Sequence, residues 1–208
     1  MKESLQKILK GYKAFKEGYF EGNKLTMEQL SNYGQNPKVM VVSCCDSRVD
    51  PGLLTLSAPG ELFVVRNVAN IVPPFESDDS HHGTSAALEF GIRSLKIKHL
   101  ILLGHSKCGG IKALIDNTIS KNADQSDFIA NWMSIINTDD FDTTDTDSCA
   151  QKALIQSYNN CLSFPWIKEA LDQETLAIHL WFFDIKSGQI YSYSETSKEY
   201  RPLDISTV

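Results

Sequence analysis

Val39-Met40-Val41-Val42-Ser43-Cys44-Cys45-Asp46-Ser47-Arg48 joins a short, wholly apolar run to a cluster of thiols and charges. The same change of character recurs at Leu100-Ile101-Leu102-Leu103-Gly104-His105-Ser106-Lys107-Cys108-Gly109-Gly110, and Leu62-Phe63-Val64-Val65 is a third apolar run. Runs that are continuous rather than alternating mark strands covered on both faces, as in a parallel sheet. Helical segments separate them. One opens at Asp50-Pro51, a cap followed by proline at the first helical position, and one spans Ser80 to Lys96 with Ala86, Ala87, Phe90 and Leu95 inward. Strand and helix therefore alternate, which predicts an α/β fold: a mostly parallel central sheet flanked by helices.

Further helices are predicted over Gly109 to Asn117, Asp127 to Ile136 and Ser148 to Leu162. Thr175 to Ile185 reads as another strand, and Lys186-Ser187-Gly188-Gln189 as the turn into an antiparallel edge strand near the C-terminus, Ile190 to Tyr193. Between the helices, Thr138 to Asp147 holds five aspartates and no basic residue. Their spacing lacks the glycine of a calcium loop, so they read as a solvated loop with helix-capping acids.

At the other end, Leu5, Ile8, Leu9, Tyr12, Phe15 and Tyr19 recur at helical spacing with lysines opposite. That stripe needs a partner surface. Its own core or a sister subunit can supply it, and residues 1–36 are read as an N-terminal helical arm ahead of the α/β domain of residues 37–208. With 208 residues, 42% hydrophobic, the chain can bury a sizeable core, and its net charge of -6 argues against nucleic acid as partner. No apolar run reaches the length of a membrane helix, and the lysine-rich start lacks a signal-peptide core. Five cysteines, odd in number and scattered, do not form a disulfide framework; a reducing, cytoplasmic setting is expected, with cysteine as ligand or nucleophile.

In a parallel α/β sheet, ligands gather outside the carboxyl ends of the strands, where both polar clusters fall. Cys44, His105 and Cys108 offer two thiolates and an imidazole, the ligand set of a zinc ion with one position left for chemistry. Gly104, Gly109 and Gly110 permit the tight turn that brings His105 and Cys108 to one point, and a helix starting near Cys108 would favour its anionic sulfur. Two thiolates neutralise the dication, so bound water needs further help to ionise. Asp46 is suited to orient the resulting hydroxide, and Arg48 to keep Asp46 ionised through a bidentate pair that lysine could not form. Cys45, Cys149 and Cys161 read as bystanders, His99 and His179 as structural, and His81 and His82 as solvated loop residues.

Cys44-x-Asp46-Ser47-Arg48 followed by His105-x-x-Cys108-Gly109-Gly110 resembles the β-class carbonic anhydrases, and the similarity runs through Pro59-Gly60-Glu61-Leu62-Phe63-Val64-Val65-Arg66-Asn67-Val68-Ala69-Asn70. The resemblance implies one zinc ion per chain, a zinc-bound hydroxide attacking carbon dioxide, and bicarbonate as product. It also implies a homodimer or a multiple of dimers with sites near the subunit interface, residues 1–36 then being the dimerisation arm and residues 37–208 the zinc-binding catalytic domain. Members with a regulatory bicarbonate site carry tryptophan and tyrosine where Val41 and Phe183 stand here, with only Arg66 kept, which places the chain with the plant-type subgroup. By the same matching, Gln35, Phe63, Val68 and Phe90 are substrate-binding residues, and Asp46 is a possible fourth metal ligand. No histidine stands at Ser94, where some plant-type members have a proton shuttle. Hydrolysis of carbon disulfide or carbonyl sulfide on the same scaffold is the alternative activity. A zinc-binding module without turnover is disfavoured because Asp46 and Arg48 are both present.

Overall fold

The computed structural model describes residues 2–78, 80–116, 118 and 128–206. The chain divides into two compact units, Met1–Asn36 and Pro37–Val208.

The first unit holds α1 (Lys2–Ala14), a π-helical turn (Phe15–Phe20) and α2 (Lys24–Tyr33), ending at Gly34, whose φ of 77° no side-chain-bearing residue adopts easily. None of its described residues is buried; Leu5, Ile8, Leu9 and Tyr12 are each more than half exposed. The predicted stripe therefore exists but finds no cover within its own unit.

The second unit is built on a six-stranded sheet of order β2-β1-β3-β4-β5-β6. The strands are β1 (Val39–Cys44), β2 (Leu62–Asn67), β3 (His99–His105), β4 (Ala177–Asp184), β5 (Gln189–Ser194) and β6 (Glu199–Pro202). β2, β1, β3 and β4 are mutually parallel, whereas β5 and β6 follow as antiparallel hairpins. The helices are α3 (Pro51–Thr55), α4 (Gly83–Glu89), α5 (Gly109–Ile115), α6 (Phe128–Met133), α7 (Thr146–Cys161) and α8 (Pro165–Asp172). One sheet face buries Met40, Val42, Leu100 and Leu102 in the main core with Leu88, Ile111, Met133, Leu154 and Ile167. The other buries Val41, Ile101, Leu103 and Phe183 in a smaller cluster with Val49. Burial on both faces is why β1 and β3 carry unbroken apolar runs.

Asp50 caps α3 as expected, accepting the Leu53 amide at 3.0 Å, with Pro51 at the first position. The Ser80–Lys96 segment departs from expectation. Its helix begins at Gly83 and passes into a π-helical turn, Phe90–Ser94, marked by the Leu95 amide donating to the Phe90 carbonyl. The buried residues are Leu88, Gly91 and Ile92, while Ala86 and Phe90 face solvent. Gly91 sets this phase: a Cβ there would lie 2.8 Å from Met40 Sδ, so only glycine lets the segment settle on the sheet. α2, α8 and β6 were not anticipated from the sequence, and the predicted helix ends at Asn117 and Asp127 lie outside the described residues. Among the described residues, no helix is long and apolar enough to cross a membrane.

Candidate metal centre and active site

The chain leaves β1 to build β2 on one side and then returns to build β3 on the other, so the crevice at the carboxyl ends of β1 and β3 is a topological switch point. Cys44 ends β1 and His105 ends β3. Cys108 follows as the cap of α5. The Sγ of Cys44, a ring nitrogen of His105 and the Sγ of Cys108 all lie within 4.8 Å of one another, and all three residues are buried.

His105 Nδ1 lies 2.9 Å from the Ser106 carbonyl, which can only accept. Nδ1 is therefore the protonated nitrogen, and Nε2 presents a lone pair. That atom is buried without a hydrogen-bond partner. A buried acceptor left unpaired is costly, and this one faces two sulfurs. A soft divalent cation satisfies it, and the Cys2His donor set suits zinc. The hydrogen bond from Cys108 holds the Cys44 thiol well below the ordinary thiol range, whereas the same bond and burial push Cys108 up. The amides of Ile111 and Gly110, at the start of α5, pull Cys108 the other way. For His105, burial opposes the charged ring, but Cys44, the Ser106 carbonyl and Asp46 together raise its pKa.

Gly104 and Gly110 allow the close approach that the turn requires. A Cβ at Gly104 would sit 2.7 Å from Leu154 Cδ1 and one at Gly110 2.9 Å from Val68 Cγ1, whereas Gly109 has open space. Trp132 Nε1 fixes Val68 from the other side by donating to its carbonyl at 2.8 Å.

Asp46 and Arg48 form the anticipated fork. Arg48 Nε donates to Oδ1 at 2.9 Å and Nη2 to Oδ2 at 2.6 Å, with the Arg48 amide adding a bond to Oδ1 at 2.9 Å. These bonds hold the Asp46 carboxyl far below the usual carboxylate range, against the opposing effect of burial. Asp46 Oδ2 lies 3.9 Å from His105 Nε2, at the edge of the metal cluster.

Sequence reasoning missed the work of Arg66. Its Nε donates to the Cys44 carbonyl at 3.0 Å, Nη2 to the carbonyls of Asp46 and Val49 at 2.8 and 3.0 Å, and Nη1 to Asp50 Oδ2 at 3.0 Å. From the neighbouring strand it clamps the whole loop that carries Cys44 and Asp46. Only its alignment with a regulatory position drew attention to it; nothing local in the sequence encodes the clamp.

Of the remaining candidates, Val68 lies against Gly110 beside the metal ligands. Phe63 and Phe90 do not. Phe63 pairs with Met40, four positions before Cys44, so within one chain it stands about 13 Å down the strands at the opposite end of the sheet. Phe90, 47% exposed, packs against it with ring centroids 5.8 Å apart. Gln35 is exposed in the N-terminal unit. His99 and His179 face each other at 3.1 Å on β3 and β4, Cys45 is exposed, and Cys149 and Cys161 are buried.

A thiol–imidazole cluster that could hold a metal ion, at the switch point of a parallel sheet with an arginine-locked carboxylate beside it, is the arrangement expected of an α/β metalloenzyme. Residues 39–190 match the family model described as carbonic anhydrase. Beta carbonic anhydrase 3 of Arabidopsis thaliana is 35% identical over 89% of this chain and 75% of its own length. The structure of the beta-carbonic anhydrase CcaA shares 29% identity and a TM-score of 0.86, covering 97% of this chain and 93% of that one. A tetrameric beta-carbonic anhydrase from the ascomycete Sordaria macrospora follows with 26% identity and a TM-score of 0.74, over 91% and 96%. The chain belongs to the β-class carbonic anhydrases, enzymes of carbon dioxide hydration.

Proposed function

We propose that this protein interconverts carbon dioxide and bicarbonate with one zinc ion held by Cys44, His105 and Cys108. The observation that carries the reading is the buried, unpartnered Nε2 of His105, aimed at two sulfurs and 3.9 Å from the Asp46 carboxylate. When bound, zinc supplies the Lewis acidity that makes water nucleophilic near neutral pH.

The chain's own residues supply the rest. Asp46, kept ionised by Arg48, accepts a hydrogen bond from the nucleophile and turns its lone pair toward the substrate. Both Asp46 oxygens are engaged by Arg48, which favours this orienting role over coordination of the metal as a fourth ligand. Val68 and the backbone at Gly110 provide an apolar wall, suited to a substrate without charge.

Phe63, Phe90 and Gln35 act on substrate in a second copy of the chain. The strand register sets Phe63 and Phe90 away from their own ligands, and the apolar face of the N-terminal arm lacks cover within its unit. A homodimer, or a multiple of dimers as in the tetrameric relative, joins the two requirements. The plant-type assignment draws support from Val41 and Phe183, which pack together in an apolar cluster, and from Arg66, fully engaged on loop carbonyls; a regulatory bicarbonate has no free group to bind there. A reducing compartment such as the cytoplasm suits a site that depends on two reduced thiols.

Stopped-flow carbon dioxide hydration with metal analysis tests the reading. The native chain is expected to hold one zinc and turn over, and Asp46→Asn to keep the zinc while losing at least about a hundred-fold in kcat. Undiminished turnover by the variant would refute the assignment.

A further inference from the structure

We propose that Asp147 is a positioning residue for the metal centre, holding the turn that presents His105 and Cys108. By sequence it belongs to an acidic loop facing solvent, and its neighbour Asp145 does cap α7, accepting the amides of Asp147 and Ser148. Asp147 itself reaches elsewhere. Its Oδ1 accepts the backbone amide of Lys107 at 2.7 Å, across 40 positions of sequence.

Lys107 lies between the two ligands of the turn and has a φ of +55°, the left-handed region that a side-chain-bearing residue avoids. Its conformation must be imposed from outside. Asp147 holds the amide of Lys107, and Arg48 Nη2 holds its carbonyl at 3.1 Å. The guanidinium that fixes the Asp46 carboxylate thus also touches the turn that Asp147 secures. α7 bears on the turn a second time through Leu154, fully buried beneath Gly104. The helix therefore registers the turn at its start through Gly104 and at its crest through Lys107.

A surface ion pair does not account for the contact. The Lys107 ammonium is 3.5 Å from Asp147 Oδ2 but 73% exposed, a pair of little consequence in water. The shorter bond goes to the amide, which depends on the backbone conformation and not on the lysine charge. Outer partners of metal ligands commonly set affinity in this way.

The inference rests on Cys44, His105 and Cys108 being the metal ligands, and the test separates the two. Zinc affinity is measured on the full chain by chelator competition, together with the absorption spectrum of the cobalt(II) form. Asp147→Ala is expected to weaken zinc binding by about ten-fold or more and to alter the cobalt bands, whereas Asp147→Asn, which keeps an acceptor oxygen, should bind within about two-fold of the native chain. Should Asp147→Ala not fold, Asp147→Ser takes its place, polar but too short to reach the amide. If the native chain binds no metal, the ligand assignment fails. If it binds, and the alanine or serine variant matches its affinity and spectrum, the proposal is overturned, even where the melting temperature falls.

Discussion

Replacing Arg66 with methionine keeps the bulk of the side chain and removes the guanidinium donors that tie the Cys44–Asp50 loop to β2, leaving the Cys45 amide on the Asn67 carbonyl. Three backbone carbonyls lose a charged partner at 2.8 to 3.0 Å, and Asp50 loses its ion pair. A hydrogen bond to a charged group contributes about 1.5–3 kcal/mol when buried. Arg66 is 29% exposed and Asp50 52%, so water recovers part of each bond and the ion pair is worth under about 1 kcal/mol. The bonds share one side chain and do not add, which leaves a net cost of about 3 kcal/mol. In a domain of this size that lowers the melting temperature by roughly 6–12 °C. Urea unfolding of the metal-free protein measures the cost directly, since bound metal would otherwise add its own stabilisation. The loop carries a metal ligand, so zinc affinity should fall about ten-fold as well. An unfolding free energy within about 0.5 kcal/mol of the native value, with unchanged zinc affinity, would refute the clamp.

Two further outcomes follow from other parts of the molecule. If Phe90 serves the site of a second copy, mixing Phe90→Ala with Asp46→Asn chains creates one intact site per hybrid dimer and restores about half the native activity per hybrid, where each variant alone is impaired; a mixture no better than its parents would place Phe90's action within its own chain. At alkaline pH, burial keeps the Cys161 thiol protonated up to about 12, while the unfolded thiol ionises near 8.5. The native state then holds the extra proton, so stability is full below that lower value and falls between the two by about 1.4 kcal/mol per pH unit. Cys161→Ala should flatten the decline in urea midpoints between pH 9 and 11 by about one proton's worth, and parallel curves would contradict it.

The legible parts of the fold were those whose physics is local. β1 and β3 announce themselves because both faces are buried, and the ligands stand where each apolar run breaks. Asp50-Pro51 spells out its own cap. β6, four residues ending in Pro202, is too short for alternation to register. α2 buries nothing and so lacks a clear apolar stripe, whereas α8 did carry a readable signal, proline at its first position. In the Ser80–Lys96 helix Ala87 and Leu95 pack on the core as expected, whereas Ala86 and Phe90 turn outward because Gly91, with no side chain to count as apolar, sets the phase. Arg66 and Asp147 were illegible for another reason: each grips backbone far away in sequence, and a carbonyl or amide looks the same under any residue name.

The strand order has a consequence for how such a protein can change. The ligand loops leave adjacent strands, and the chain between them runs through β2 and α4, with Ile71 to Asp78 lying between those two elements in sequence. The exposed stretch Phe75 to Asp78 holds neither Arg66 nor a metal ligand, so it can be lengthened, shortened or recomposed without disturbing the spacing of Cys44, His105 and Cys108. The metal ligands and the rim around them are therefore separately heritable traits: one fixed by two neighbouring strands, the other free to drift toward new entrances for new small molecules.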